Sequence, residues 1–496
     1  MKAGCAAQCK NRVSIALVST FFPLSMHNAI NFLAHMAWVR HRREECTSVT
    51  ARLRLPANKC RLGRFLLLVA ALSPGVQSAR PQQISRVDRD LAETMLNNVS
   101  EDVRKYYFDP KLRGLDWDAL VRQTRGDIEK APNADVALAE IESLLERLND
   151  SHTNFIPEIR PSPVDYGWTF KLIGNRALVT EVNPKSDAER QGMKPGDEVL
   201  KVNGYTVTRT NVNTLKSAIY EYFRRSSLDV ELRDSSGKVR DLNVAARVKK
   251  QTVLAGLGDD SWGINQRIID SENAVEPLKY KYRELGPDLM VLRIPAFIQT
   301  GPSVDEVFQK ARGHKALIVD LRGTPGGIMT SVTDYLSHIF NREVNIGDWI
   351  ERNKTTPIRV KGRGKDAYFG DVIVLVDSET ASGGEIFARA VQLEERGTIV
   401  GDRTSGRTMG ARMILHVISD NALHVYGDAV TVADAVMSDG KSLERVGVEP
   451  DPVCLPTQAD LAAGRDPVLA YAARLAGVTL SPEDAAKLFS SDSAGN

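Results

Sequence analysis

The sequence predicts a multidomain α/β protein, with a helical N-terminal domain, a β-rich middle domain and an α/β core. Three observations carry this. Residues 85–150 place apolar side chains at three-to-four spacing. Residues 163–248 switch to short strand-like runs, and residues 286–452 alternate such runs with helical stretches. Strand–helix–strand alternation implies a parallel sheet with right-handed crossovers.

With 496 residues, 42% of them hydrophobic and 26% charged, the chain has ordinary soluble composition and length for several cores. Its net charge of +2 hides an asymmetry. Residues 1–78 hold 11 Lys/Arg against 2 Asp/Glu, so the remaining 418 residues carry a balance of −7. A mildly acidic body gives no electrostatic reason to expect nucleic acid as a partner. Residues 1–78 read as a leader. Within it, Lys59, Arg61 and Arg64 precede the apolar run Phe65 to Leu72, and Val76-Gln-Ser78 follows. Charged start, short apolar core and small residues match a secretory signal over 59–78, cleaved near Ala79. The run is too short for a stable membrane span, so the expectation is an exported protein, periplasmic or extracellular, with no stable membrane span after cleavage. Four of the five cysteines lie in the leader, which leaves Cys454 without a disulfide partner in the body. No Cys-x-x-Cys or supported His-x-x-x-His spacing occurs there, so the expectation is no metal and no cofactor.

The body follows in order. Val87 to Tyr107, Trp117 to Ile128 and Asp135 to Leu148 read as helices, with Asp116 as a cap and Pro110 and Gly114 between the first two. They make a helical domain over 85–155 that ends near Asn149-Asp-Ser-His-Thr153. Ala177 to Val182, Glu198 to Val202 and Leu228 to Leu232 read as strands of the domain at 163–248. The core is placed at 251–455. Its apolar strands are Leu289 to Ile294, Ala316 to Leu321 and Val372 to Val376. Val332 to Phe340 and Glu385 to Arg396 are its helices. Residues 456–496 read as an Ala-rich helical tail.

Two strand-to-helix turns stand out in the core. Asp320-Leu-Arg-Gly-Thr-Pro-Gly-Gly327 exposes backbone N–H groups that suit an oxyanion or phosphate, but it lacks the P-loop lysine pattern. The same stretch reads equally well as a tight structural turn. Asp377-Ser-Glu-Thr-Ala-Ser-Gly-Gly-Glu385 puts Ser382 where a strand becomes a helix, with free N–H groups and the positive end of a helix dipole beside its hydroxyl. From this segment alone Ser382 is a nucleophile or a helix N-cap. Glu385 lies in the first helical turn, where it favours the dipole. His314, His338, His416 and His424 sit in no motif and read as structural or solvated.

Gly192, Gly196-Asp197, Val199-Leu200, Val202 and Asn203-Gly204 resemble a PDZ domain. The resemblance implies that a peptide adds as a strand and that its carboxylate meets the loop Tyr166, Gly167, Trp168, Thr169 and Phe170. Trp168 and Thr169 depart from the small residues usual in that loop.

The whole order is helices, Asp150-Ser-His-Thr153, PDZ-like domain, Asp-Leu-Arg-x-x-x-Gly-Gly, Thr-Ala-Ser-Gly-Gly-Glu and Ser442-Leu-Glu-Arg-Val-Gly-Val-Glu-Pro-Asp451. It resembles the carboxy-terminal processing and tricorn-core serine peptidases over about residues 85–455. Tyr106 to Pro110 and Gly114 to Trp117 share in the match. The resemblance implies a core with the spiral ββα fold of Clp-type proteases and crotonases, and a serine endopeptidase acting on protein or peptide substrates. In the branch with a Ser–Lys dyad, the lysine position corresponds here to Arg407, which cannot take a proton from serine. The tricorn-type branch implies Ser382 as nucleophile, His152 as base, Ser151 and Glu444 as its support, and Gly383 with Gly326 or Gly327 as the oxyanion hole. On this reading activity falls on acidification as His152 protonates. The alternative is a non-catalytic member of the same fold that binds peptides or lipophiles.

Overall fold

A computed structural model describes residues 84–157, 164–222, 225–248, 278–419 and 423–489. The leader at 1–78, with its signal pattern at 59–78, lies outside the described residues. Among the described residues no helix is long and apolar enough to cross a membrane.

Three helices open the described chain: α1 (Arg86–Tyr106), α2 (Trp117–Lys130) and α3 (Ala134–Glu146). Ser85, Asp116 and Asn133 cap them by accepting from the N–H of Asp88, Ala119 and Val136. Their buried faces, with Leu96, Val99, Val103, Ile141 and Leu145, do not close on themselves. They share one cluster with Phe155, Ile414, Tyr426 and Val430 from a neighbouring sheet. The helical segment is therefore a layer over that sheet. The chain leaves it through strand β1 (Asn154–Ile156), which begins two residues after His152.

The next unit is a six-stranded sheet. Its strands are β2 (Trp168–Ile173), β3 (Arg176–Val182), β4 (Glu198–Val202), β5 (Ser227–Arg233) and β6 (Val239–Ala245), in that spatial order, with the short strand Tyr205–Thr206 beside β4. Helix α4 (Val212–Ser217) continues into a helical turn over Ala218–Tyr222. Strand β2 takes up Trp168, Thr169 and Phe170, which the PDZ resemblance assigns to a loop.

A parallel sheet forms the heart of the core. Its order is β7 (Lys281–Leu285), β8 (Leu289–Arg293), β9 (Ala316–Asp320), β12 (Asp371–Val376) and β13 (Thr398–Gly401), and only the β7–β8 pair is antiparallel. Alternation sorts its side chains to two faces. Met290, Leu292, Leu317, Val319, Val372, Val374 and Val376 point to one cluster with the helices Pro302–Ala311 (α5), Met329–Ser337 (α6) and Gly383–Leu393 (α7). Leu289, Val291, Ala316, Ile318, Ile373 and Leu375 point to the other, under helix α8 (Pro467–Leu475). Coverage on both faces is what a parallel sheet requires.

The second core sheet was not legible as a unit. It joins β10 (Val344–Glu351), β11 (Lys354–Val360), β14 (Gly410–Ser419) and β15 (Leu423–Met437) with β1. Strand β1 pairs with β15 in the register Asn154↔Ala429, Phe155↔Asp428 and Ile156↔Gly427. This pairing carries His152 from the helical layer to the core.

Candidate active site

The two glycine-rich turns are laced together at the C-terminal ends of β9 and β12, where open α/β sheets place ligands. Gly323 N–H donates to Asp377 Oδ1 at 2.8 Å, and Ala381 N–H donates to the Thr324 carbonyl at 2.9 Å. Thr380 Oγ1 donates to the Leu321 carbonyl at 2.9 Å. Ser382 follows with φ +52° and ψ −119°, a backbone region that costs an L-residue about 1–3 kcal/mol. Its own N–H holds it there, lying 2.6 Å from the Arg407 carbonyl and 3.1 Å from Glu385 Oε2.

Glu385 does more than favour the helix dipole. Fully buried, it also accepts from Thr404 Oγ1 at 2.6 Å, Gly406 N–H at 2.7 Å and Arg407 N–H at 2.8 Å. One carboxylate thus clamps loop 404–407 onto the serine turn. Burial pushes its carboxyl up, against the hydrogen bonds from Thr404, Arg407, Gly406 and Ser382. No sequence spacing announces this role, because the loop folds back only in three dimensions.

Gly326 and Gly327 face Ser382 across the gap. A Cβ on Gly326 would stand 2.6 Å from the Ser382 Cβ and 3.0 Å from Gly383 N, so only glycine allows the approach. Gly327 is pinned by Phe297, whose N–H donates to the Gly326 carbonyl and whose carbonyl accepts from Ile328 N–H. Among the described residues, neither Gly327 N–H nor Gly383 N–H donates to another protein group.

His152 arrives from the other side. Its main chain is fixed by Asp150, whose Oδ1 accepts from His152 N–H at 2.9 Å and Thr153 N–H at 2.7 Å. Thr431 Oγ1 donates to the same oxygen at 2.7 Å. Burial opposes ionisation of Asp150, but the hydrogen bonds from Thr431, His152 and Thr153 win and hold its carboxyl below the usual range. The His152 ring places Nδ1 2.7 Å from Ser151 Oγ, and Ser151 Oγ donates to Glu444 Oε2 at 2.9 Å. Glu444 Oε2 also accepts from Thr408 N–H at 3.0 Å. With its proton given to Glu444, Ser151 accepts from Nδ1–H. That leaves the Nε2 lone pair free.

The electrostatics separate the two titrating groups. Burial pulls His152 down to about 3, helped by the Arg407 and Arg445 charges and opposed by Asp150. Burial pushes Glu444 up to about 7, with Asp150 adding to the push and the Thr408 N–H, Arg445 and Ser151 opposing it. Burial and the two arginines thus favour the neutral form of His152 in the ligand-free site. Of the two, Glu444 is the group whose ionisation falls near neutrality in the ligand-free site.

Ser382 and His152 line one pocket, together with Gly327 and Gly383. Its remaining walls are largely apolar, including Trp349, Ile386, Met409 and Met413. No hydrogen bond joins Ser382 Oγ to His152. Ligand-free sites often show this contact open before substrate tightens it. The pocket wall from β10 and β14 was not visible in the sequence.

Burial changes the reading of Tyr166 to Phe170. Tyr166, Trp168 and Phe170 are buried in the core of the six-stranded sheet, and Trp168 stacks on Phe170 at 5.4 Å. Gly167 N–H is taken by Asp165 Oδ1 at 2.8 Å, leaving Thr169 as the exposed side chain of the five. The outer edge of β2 is also engaged. The Leu172 carbonyl accepts from Ser378 Oγ at 2.6 Å, and Lys171 Nζ lies 2.8 Å from Glu379. Lys216 Nζ reaches Glu379 at 2.6 Å. The end of β2 thus rests on the turn that leads into Ser382.

Comparison with known proteins agrees with this arrangement. The model of peptidase family S41 matches residues 288–454, and that of the PDZ domain matches residues 162–222. The chain is 26% identical over 393 residues to the putative tricorn protease homolog 2 of Streptomyces coelicolor, across 75% of this chain and 31% of that protein. It is 24% identical over 324 residues to the carboxy-terminal processing protease CtpA of Bacillus subtilis, across 62% of each. The chain thus spans less than two thirds of the length of either relative. Among solved structures, mature CPAF aligns with a TM-score of 0.56 at 15% identity, over 76% of this chain and 94% of that one, a likeness of fold. The core of the chain thus carries the match to peptidase family S41, and the six-stranded sheet before it carries the match to the PDZ domain.

Proposed function

We propose that this protein is a serine endopeptidase of the tricorn type, hydrolysing peptide bonds through an acyl-enzyme on Ser382. The carrying observation is the hydrogen-bonded chain Glu444–Ser151–His152, which ends in the pocket that Ser382 also lines. A serine hydroxyl needs a base near neutral pH, and a neutral His152 with a free Nε2 supplies one. Ser382 Oγ attacks the carbonyl carbon while its proton passes to His152 Nε2. The carbonyl oxygen, now negative, is met by the N–H groups of Gly383 and Gly327. These donors cost no reorganisation because, among the described residues, no other protein group occupies them. When the tetrahedral intermediate collapses, His152 returns the proton to the leaving amine, and water repeats the cycle on the ester. Arg407 serves through its main chain, which ties Glu385 and Ser382 together, and through its charge, which helps keep His152 neutral.

A fluorophosphonate probe on the purified protein tests this reading. Wild type should be labelled once, on the peptide carrying Ser382, and Ser382→Ala should lose the label. An unlabelled, well-folded wild type would favour the binding-only alternative. Export is part of the reading and rests on the Lys59–Ser78 pattern alone. Sequencing the mature N-terminus should find it near Ala79, and an intact leader on the soluble cytoplasmic protein would count against it.

A further inference from the structure

Away from the pocket, helix α1 meets the β14–β15 hairpin at three ionisable side chains: Asp102, His416 and Asp428. Strand alternation puts them on the helix-covered face, since Met413 and Ala429 line the pocket while Ile414 and Tyr426 join the helical cluster. His416 Nε2 lies 2.9 Å from Asp102 Oδ2 and 2.9 Å from Asp428 Oδ1. Stacking on Tyr426 at 4.9 Å fixes the ring, and Tyr426 is itself bonded to Asn98 of α1 at 2.6 Å.

A proton on Nε2 explains only half of this. The contact with Asp428 has hydrogen-bond geometry, but Asp102 Oδ2 is buried against the same nitrogen with no hydrogen bond at all. A single N–H points at a single oxygen. The carboxylate of Asp428 is fully buried, and its second oxygen also has no partner. Neither carboxylate pairs with a lysine or arginine among the described residues. Lys105, on the same helix as Asp102, is exposed and makes no ion pair with it. Even with the imidazole protonated, as its ion pairs with Asp102 and Asp428 favour, the two carboxylates leave one negative charge uncompensated, and a divalent cation in place of the proton would cancel both.

We infer that Asp102, His416 and Asp428 form a binding site for a divalent first-row transition cation of the zinc class. Their ligand atoms lie within 4.8 Å of one another. The two nitrogen–oxygen separations of 2.9 Å are hydrogen-bond lengths, and a tetrahedral zinc with bonds of about 2.05 Å needs its ligand atoms about 3.3 Å apart, so the three side chains would open by only about 0.4 Å to take the ion. The imidazole favours such an ion over calcium or magnesium. Asp102 and His416 are partly open to solvent, which gives an entry route, while Asp428 closes the floor. Three protein ligands leave positions for water. The ion would pin α1 to β14 and β15, and Asp428 stands in register with Phe155 of β1, just after His152. It would therefore brace the layer that presents the base without touching the reacting atoms.

Equilibrium dialysis of the full chain against Zn²⁺, read by metal analysis, tests the site. His416→Gln and Asp102→Asn should each bind one ion fewer per chain than wild type. The leader cysteines and histidines are common to all forms and drop out of the difference. Zn²⁺ should raise the thermal midpoint of wild type, chelator should reverse the rise, and both variants should lack it. Asp102 is the less buried ligand, so its asparagine variant retains the fold if His416→Gln does not. Equal stoichiometry in wild type and a folded Asp102→Asn protein, or the same Zn²⁺-induced shift in both, would overturn the assignment.

Discussion

Replacing His152 with alanine is expected to lower kcat by about 10²–10⁴-fold, the usual scale for a general base, with KM little changed. The change removes the only side chain among the described residues that shares the pocket with Ser382 and has a nitrogen to accept its proton. It also leaves Ser151 with Glu444 as its remaining partner. Folding should survive, because the main-chain bonds from residues 152 and 153 to Asp150 do not need the ring. Ser382→Ala and His152→Ala should be nearly as damaging together as either alone, since a nucleophile without its base and a base without its nucleophile are the same broken step. Rates from peptide digestion by the two single variants and the double variant decide it. Fully multiplicative losses would mean that the two residues do not act as one unit.

The route from sequence to this site was uneven for physical reasons. Strands β8, β9 and β12 were legible because burial on both faces makes them continuous apolar runs between turn residues. Ser382 and Gly326 were legible because a sharp strand-to-helix turn needs small residues in a fixed order. Strands β14 and β15 hid themselves. Their inward residues include Asp428 and Thr431, both fully buried polar groups that break the apolar alternation a strand reading depends on. Glu385 reads as a helix-end carboxylate until loop 404–407 closes over it. The link from Ser151 to Glu444 crosses 293 positions, and only family resemblance suggested it. Trp168 looked like a ligand-facing loop residue, yet a large aromatic at the start of an edge strand gains more by filling the domain core.

Glu444→Gln should reshape the pH profile of the same reaction. Glu444 Oε2 accepts from both Thr408 N–H and Ser151 Oγ, and a glutamine carbonyl can accept from both in its place. Geometry is then kept and only the charge is lost. That charge matters because His152 becomes an imidazolium as Ser382 attacks, and a carboxylate one hydroxyl away stabilises it. In wild type the carboxyl is raised to about 7, chiefly by burial, so the charged form prevails above that pH and the neutral form below it. Wild-type kcat/KM should therefore rise with pH through about 7. His152, held down at about 3, contributes no limb in that range. The glutamine variant, neutral at every pH, should be slow and flat between about pH 5 and 8. The two profiles should converge on the acid side, where wild type has lost its charge as well, and diverge most above neutrality. The gap there should stay smaller than the loss in His152→Ala, because the base itself remains. If the limb near 7 persists unchanged in Glu444→Gln, some other group sets it, and the Glu444–Ser151–His152 chain is not the proton-handling unit of the proposed reaction.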